Sequence, residues 1–401
     1  MASEFTKDST CRFTGKTPKI LMKPQIVIII FLCIVIQAAN AYSLPQFPIR
    51  FGDGISGEHD HLHEVEAMTM DCRTCHVNPT GGGMRNDHGW QFSLENLPMN
   101  RFDKKDEETL KEARLNRIIA IGTDLRFAYI QSQSGSQSAY MNSFFPMQAD
   151  LYAAFMPHRN FTIYYQDGLQ GNKEFFGLIH ALPANAHIKF GKFLPPYGLK
   201  LDDHTSFIRD KPGFGNNFGQ DSEAGLEAGF AKGLWFGNAA IFNGTRGAPD
   251  DNTAKAISGT GGIKTPLFWL AGSYYRNKTA GTGGEKDNYI GAYTAFHFRQ
   301  LSLLGEWDWI YKEKSGASKT TGNVAFAEIS ADLIKGVAAR VKYDFYNPDQ
   351  DTSEDITQRI TVGVDLYPYP FSEVLIQYRK NIEESNVTQN DQFLIMVHLF
   401  Y

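Results

Sequence analysis

The stretch Leu301-Ser302-Leu303-Leu304-Gly305-Glu306-Trp307-Asp308-Trp309-Ile310-Tyr311 decides the fold. Its odd positions carry Leu, Leu, Gly, Trp, Trp and Tyr, while Ser302, Glu306 and Asp308 stand at even ones. A period of two belongs to a β-strand with unlike faces, because successive side chains of a strand point to opposite sides. The alternation returns at Val337, Ala339, Val341, Tyr343 and Phe345 against Arg340, Lys342 and Asp344. It returns at Ile360, Val362, Val364 and Leu366 against Arg359, Thr361 and Asp365, and at Ala327, Ile329, Ala331 and Leu333 against Glu328, Ser330 and Asp332. A soluble sandwich also alternates. Strands of about ten residues whose apolar face bears Trp and Tyr near its ends fit a transmembrane β-barrel with aromatic girdles instead.

The connections repeat that reading. Tight turns are predicted at 157–159, 183–185, 231–233, 264–266, 299–300, 335–336 and 369–371, and longer polar loops near 131–144, 167–173, 195–220, 244–254, 277–286, 313–321, 347–356 and 381–391. Turns and loops in strict alternation are the habit of outer-membrane barrels. The count gives sixteen antiparallel strands between 116 and 401, with fourteen and eighteen as the alternatives. The last segment, 393–401, alternates to a terminal Tyr401 and resembles the C-terminal signature of such barrels. The loop over 195–220 is the longest; it either folds into the lumen, as the third loop of porins does, or stays outside. Glu306, Asp308, Glu328, Asp332, Arg340, Lys342 and Asp344 are the charges expected to face the lumen.

Composition removes other classes. The chain of 401 residues is 42% hydrophobic, 13% aromatic and 21% charged, too aromatic for a disordered chain. Its longest apolar run, 26–36, is half of what a membrane-crossing helix needs. A net charge of −5 without a basic block gives nucleic acid no footprint. Lys19 and Lys23 before that run and Ala39-Asn40-Ala41 after it have the layout of a secretory signal peptide over 1–41, with Met22 as a candidate start.

Export leaves two cysteines, in Cys72-Arg73-Thr74-Cys75-His76. C-x-x-C-H is the attachment signature of c-type haem: the two thiols add to the vinyl groups of one porphyrin and His76 takes the iron. A zinc site would require a second pair of ligands, a thioredoxin-type pair would require a βαβ context, and a structural disulfide is the remaining alternative. Five of the eleven histidines (His59, His61, His63, His76 and His88) fall between 42 and 113. Downstream, Asn78-Pro79-Thr80-Gly81-Gly82-Gly83 starts on a turn and carries three glycines that let backbone approach a flat ligand, and Trp90 is placed to pack on it. His88 and Met84 are the candidate distal iron ligands, with His61 and His63 behind them. Acids near the start of 102–115 predict a short polar linker helix between a monohaem domain at 42–101 and the barrel.

In this architecture of signal peptide, one C-x-x-C-H and a barrel of about sixteen strands, the chain resembles the fused cytochrome–porin proteins of the outer membrane known from iron-oxidising bacteria. The attachment motif carries over onto Cys72, Cys75 and His76. The resemblance implies one covalent haem c that moves electrons between an extracellular donor or acceptor and periplasmic carriers. It implies as partners a periplasmic c-type cytochrome or other carrier, an extracellular metal ion or cytochrome, and outer-membrane lipid, with the haem domain in the periplasm or inside the lumen. Two further classes stay open: a diffusion porin with a periplasmic haem-binding appendage, and a haem-based sensor or peroxidase with an open sixth position.

Overall fold

The computed structural model describes residues 72–100, 102 and 114–401, apart from 117, 135–138, 170–172, 204, 213–221, 246–248, 251, 266, 280–283, 315, 317, 353–354 and 384–389. The expected signal peptide, His59, His61 and His63 lie outside the described residues, as does most of the expected linker helix. The end of that linker is extended: β1 (Arg114–Asn116) pairs with the start of β2.

Sixteen strands follow: β2 (Ile119–Ser134), β3 (Ala139–His158), β4 (Phe161–Gly168), β5 (Lys173–Leu182), β6 (Ala186–Phe193), β7 (Glu223–Lys232), β8 (Trp235–Phe242), β9 (Ala256–Lys264), β10 (Phe268–Lys278), β11 (Glu285–Phe298), β12 (Leu301–Lys314), β13 (Thr320–Ile334), β14 (Val337–Asn347), β15 (Thr357–Leu366), β16 (Ser372–Glu383) and β17 (Gln392–Phe400). Each pairs antiparallel with the next, and β17 pairs with β2 from Gln392↔Ser132 to Phe400↔Asp124, so the sheet closes on itself. Closure leaves no unpaired strand edge. All seven expected tight turns lie between the expected strands, and they share one rim with Tyr401. Loop 131–144 is shorter than expected, because β2 runs on to Ser134 and β3 resumes at Ala139. A bulge sets Phe127 opposite Pro146, which has no N–H to give the ladder.

The two faces are sorted the wrong way round for water. Trp307, Trp309 and Tyr311 of β12 are exposed on the outer surface, while their neighbours Glu306 and Asp308 are buried inside. Val341 and Tyr343 lie outside and Lys342 and Asp344 inside; Ile360 and Val362 lie outside and Arg359 and Thr361 inside. Outward apolar side chains on nearly every strand form a belt that suits hydrocarbon. Inward, the expected lumen charges Glu306, Asp308, Glu328, Asp332, Lys342 and Asp344 are all buried. Arg340 reaches Asp365 across the inner wall at 2.7 Å.

A sixteen-strand barrel is too wide for wall side chains to fill. Two segments fill it instead. One is the long loop, described over 194–212, which folds inward and carries the short helix α2 (Phe207–Asp210). The other is the N-terminal segment 72–100, a plug whose only α-helix among the described residues is α1 (Asp87–Glu95).

Candidate functional site

The plug opens on the cysteine pair. Cys72–Thr74 form a 3-10 turn, with His76 N–H donating to the Cys72 carbonyl at 2.9 Å and Cys75 N–H to the same oxygen at 3.2 Å. Residues one turn apart share a face, so this backbone gathers Cys72, Cys75 and His76. The chain then reverses: His76 pairs with Arg85, and Val77 N–H donates to the Met84 carbonyl at 3.1 Å. Asn78 makes the reversal by accepting from Thr80 N–H and Oγ1 at 3.3 and 3.0 Å, a side-chain-built turn that suits Asn-Pro.

Gly81, Gly82 and Gly83 all have positive φ, which three consecutive L side chains would not adopt. Their immediate neighbours are protein atoms. A Cβ on Gly81 would stand 2.8 Å from Cys72 Sγ, one on Gly82 3.0 Å from Lys200, and one on Gly83 2.1 Å from Tyr164 Oη. The reversal therefore needs glycine to lie between the first cysteine and the barrel wall.

Asn86 then caps α1. It accepts from Gly89 N–H at 2.9 Å and donates to the Arg73 carbonyl at 2.7 Å, tying helix to motif. Gly89 allows the close fit, since a Cβ there would lie 2.2 Å from the Cys75 carbonyl oxygen. The far face of α1 and the chain beyond it bury Trp90, Phe92, Leu94 and Leu97 against Phe371 and Phe400 at the turn rim. Trp90 packs on Phe371 and Tyr401, with ring centroids 5.3 and 6.0 Å apart. Lys335 donates to the Glu95 carbonyl at 2.9 Å, satisfying the helix's C-terminal end.

Wall residues hold the reversal from the other side. Lys189 donates to Thr80 Oγ1 at 2.9 Å and pairs with Glu227 at 3.1 Å, while Glu227 meets His187 at 3.0 Å. Tyr164 Oη accepts from Met84 N–H at 3.1 Å, Lys200 donates to the Gly81 carbonyl, and Arg73 to that of Asn185. Arg85 lies over the Phe400 ring at 4.0 Å. Sequence reasoning missed Lys189, Glu227 and His187. The signal was present, because His187 and Lys189 alternate with Ile188 and Phe190 like every other inward pair.

The inward loop is fastened just as firmly. Tyr197 Oη donates to Asp308 at 2.9 Å, Leu199 N–H to Glu306 at 2.6 Å, and Phe207 N–H to Asp344 at 2.9 Å. Asp202 pairs with Arg126 at 2.6 Å and Asp203 with Lys342. Three of the acids predicted to line the lumen thus serve as anchors for the loop.

Burial, with Arg85 and Lys200 nearby, pushes the His76 imidazole down to about 4, so it is neutral at pH 7. Its Nδ1 is buried with no hydrogen-bond partner, and so is Nε2 of His88, whose imidazole burial also pushes down. Burial raises the Cys75 thiol to about 11. Met84 is fully buried in the cluster of Ala120, Tyr152 and Tyr164, near Gly122 of the wall. Among the described residues no three His, Cys, Asp or Glu side chains converge as a metal-ion site.

Two open spaces adjoin the motif. One, of ≈ 960 Å³, is bounded by Cys72 and Arg73 on the plug, by residues 194–200 of the inward loop, and by the wall of β6 to β11. The other, of ≈ 2170 Å³, is bounded by His76 and Arg85 and by a strongly charged wall. They meet at Leu194, Lys200 and Arg209, which line both.

No protein-family model matches the sequence, and no curated protein is similar to it. Solved structures do match in fold. The outer-membrane OmpT of Vibrio cholerae superposes with a TM-score of 0.55 at 8% identity, covering 72% of this chain and 100% of that one. The anion-selective porin from Comamonas acidovorans gives 0.55 at 10% identity, covering 71% and 99%. Salmonella typhi OmpF, in a complex with daunomycin, gives 0.51 at 12% identity, covering 71% and 97%. The chain has a porin-like sixteen-strand barrel fold.

Proposed function

We propose that this is an outer-membrane barrel that carries one c-type haem in its lumen and passes electrons through it between an external donor or acceptor and periplasmic carriers. The observation that carries the reading is the position of the C-x-x-C-H turn: it sits inside the barrel, fastened to β4–β6 and to the inward loop. Two local features support haem there. The backbone of 72–76 makes one helical turn, and His76 is buried in the neutral form that ligates metal. Cys72 and Cys75 would form the thioethers and His76 would hold the iron, with His88 and Met84 as candidates for the sixth position. The bound group would supply a one-electron couple within an apolar band about 25 Å tall.

The outward apolar belt supports the membrane location. The porin-like fold and the charged lumen favour a second reading, a diffusion channel with a haem-binding appendage. Outer-membrane fractions stained for haem after a denaturing gel test the first reading. The band is expected to stain and to lose its stain in the Cys72→Ala, Cys75→Ala variant. An outer-membrane band that never stains in cells with a working haem-attachment system refutes it. Bilayer conductance separates the two, since a plugged conduit passes few ions and deletion of 72–100 should open it.

A further inference from the structure

On the outer face of β10 the exposed residues nearest the loop rim are Tyr274, Arg276 and Lys278. Arg276 and Lys278 stand two residues apart on one strand, about 7 Å. The register sets Lys278 directly opposite Lys286 of β11, which is also exposed on the outside. Like charges so placed destabilise a sheet. The cations around them have acids: Lys286 meets Glu313 at 3.3 Å, Lys319 shares that carboxylate at 3.6 Å, Lys314 meets Glu285 at 3.3 Å and Lys255 meets Asp250 at 2.6 Å. Among the described residues no carboxylate forms an ion pair with Arg276 or Lys278. The strands beside Arg276 offer none either, since Asn288 and Ile257 are the residues opposite it.

Toward the tight-turn rim this face becomes apolar, with Tyr274, Ile290, Trp307 and Trp309 exposed. One row within it is nearly bare. The ladders of β8 to β11 align Gly237, Gly261, Gly272 and Ala292, whose alternation places all four outward. Larger outward side chains flank the row, Tyr274 and Ile290 on the loop side and Trp235 and Leu270 on the other, so it forms a shallow furrow. Four residues, about 13 Å, separate Arg276 from Gly272 along β10. With strands tilted by about 40° that is about 10 Å of depth, from the headgroup level into hydrocarbon.

Adjacent cations short of acids favour a phosphate, and bare backbone between apolar side chains admits an alkyl chain. A molecule that carries both, at the edge of a membrane belt, is an anionic lipid. We propose that Arg276, Lys278 and Lys286 bind the phosphate of an anionic acyl lipid in the leaflet at the loop rim, with one of its chains lying in the furrow at Gly261 and Gly272. The phosphate relieves the opposition of Lys278 and Lys286, and the chain covers backbone that no side chain of the barrel covers. The site stands apart from the haem reading and requires only that the barrel lie in a membrane.

The test is tryptophan quenching in the full chain, held in phosphatidylcholine nanodiscs. Trp307 lies opposite Ala292 and Trp309 opposite Ile290, both exposed, so they report on lipid at this face. Brominated acyl chains quench tryptophan on contact. Phosphatidic acid with brominated chains, added as a minor component, should quench more than brominated phosphatidylcholine at the same fraction. The double variant Arg276→Gln, Lys278→Gln should lower that preference about fivefold or more, because each surface cation is worth about that factor toward an anionic lipid. The control Lys173→Gln, Lys380→Gln removes the same charge from the outer faces of β5 and β16 and should keep the preference. Equal quenching by the two lipids in the parent overturns the proposal. So does a preference that survives the double variant, or one that the control loses as fully. A Cβ on Gly272 would meet only the Gly291 carbonyl oxygen, at 3.5 Å, so Gly272→Leu fills the furrow without strain. It should weaken quenching by brominated phosphatidic acid, and full quenching there refutes the seat of the chain. The gel shift of folded barrel on heating shows that each variant is intact.

Discussion

Lys189→Met tests the joint between plug and wall. In the native chain the ammonium and the Glu227 carboxylate are both wholly buried and lie 3.1 Å apart. The ammonium also donates to Thr80 and lies 5.2 and 5.1 Å from the Phe176 and Phe193 ring centroids. Methionine keeps most of the stem's packing and removes the charge. Breaking a buried pair by deleting one partner costs about 3–5 kcal/mol, since the other charge stays buried. Glu227 keeps His187 at 3.0 Å, which places the expected loss at the low end, about 3 kcal/mol. Of this, about 1.5 kcal/mol is the charged bond to Thr80 and falls on the plug alone. Urea unfolding in detergent micelles, followed by tryptophan fluorescence and by the gel shift of folded barrel, reads the loss. The double variant Lys189→Met, Glu227→Leu removes both charges and should recover at least half of it. A single variant within about 1 kcal/mol of the parent, or a double variant no more stable than the single, would show that the pair carries none of this energy.

Gly83→Ala forces a positive φ on an L residue and drives a Cβ to 2.1 Å from Tyr164 Oη, so the plug should loosen while the barrel stays folded. Limited proteolysis of the intact protein should then cut within 72–100, and unchanged resistance would count against the reversal as described. Tyr197→Phe removes the hydroxyl that donates to Asp308 at 2.9 Å, at a cost of about 1–3 kcal/mol for the buried acceptor left behind. Its readout is noisier single-channel current as the inward loop detaches; a quiet trace like the parent's would contradict the anchoring. Val341→Arg places a charge mid-strand on the outer belt and should cost about 2–4 kcal/mol in lipid vesicles. The same change would be nearly neutral if that face met water, so the vesicle measurement decides between the two.

The barrel was legible because its code is local. Each strand announces itself by period two, and six of the seven tight turns by Gly, Pro or Asn, as at Lys335-Gly336 and Pro183-Ala184-Asn185, with Arg299-Gln300 the exception. The sixteen-fold count follows from those turns and the polar loops between them. The extent of β2 and β3 was not legible, since beyond the apolar belt a strand keeps its ladder while losing its alternation, as Gln131, Ser132 and Gln133 show. The direction of the long loop was not legible either. It depends on Glu306, Asp308 and Asp344, more than ninety residues downstream, accepting backbone and side-chain protons from the loop. At the candidate site the motif was plain and its surroundings were not. Gly81, Gly82 and Gly83 read as room for a flat ligand; the sequence did not show that the same glycines lie against the Cys72 sulfur, Lys200 and Tyr164.

The plug and the wall depend on each other unequally. Every barrel strand finds two hydrogen-bonding neighbours within the wall, so the sheet closes without the plug. The plug has no comparable self-sufficiency among its described residues: Trp90, Phe92, Leu94 and Leu97 become a core only when Phe371 and Phe400 complete it, and the glycine reversal is held by Tyr164, Lys189 and Lys200. This asymmetry means that the wall sets where the cysteine turn lies, and any group joined to Cys72 and Cys75 inherits a fixed place in the lumen. A carrier tethered to a free-standing domain would have to dock anew for each electron. One held by the barrel itself keeps the same distances to both ends of the lumen, which is the condition a fixed relay across a membrane has to meet.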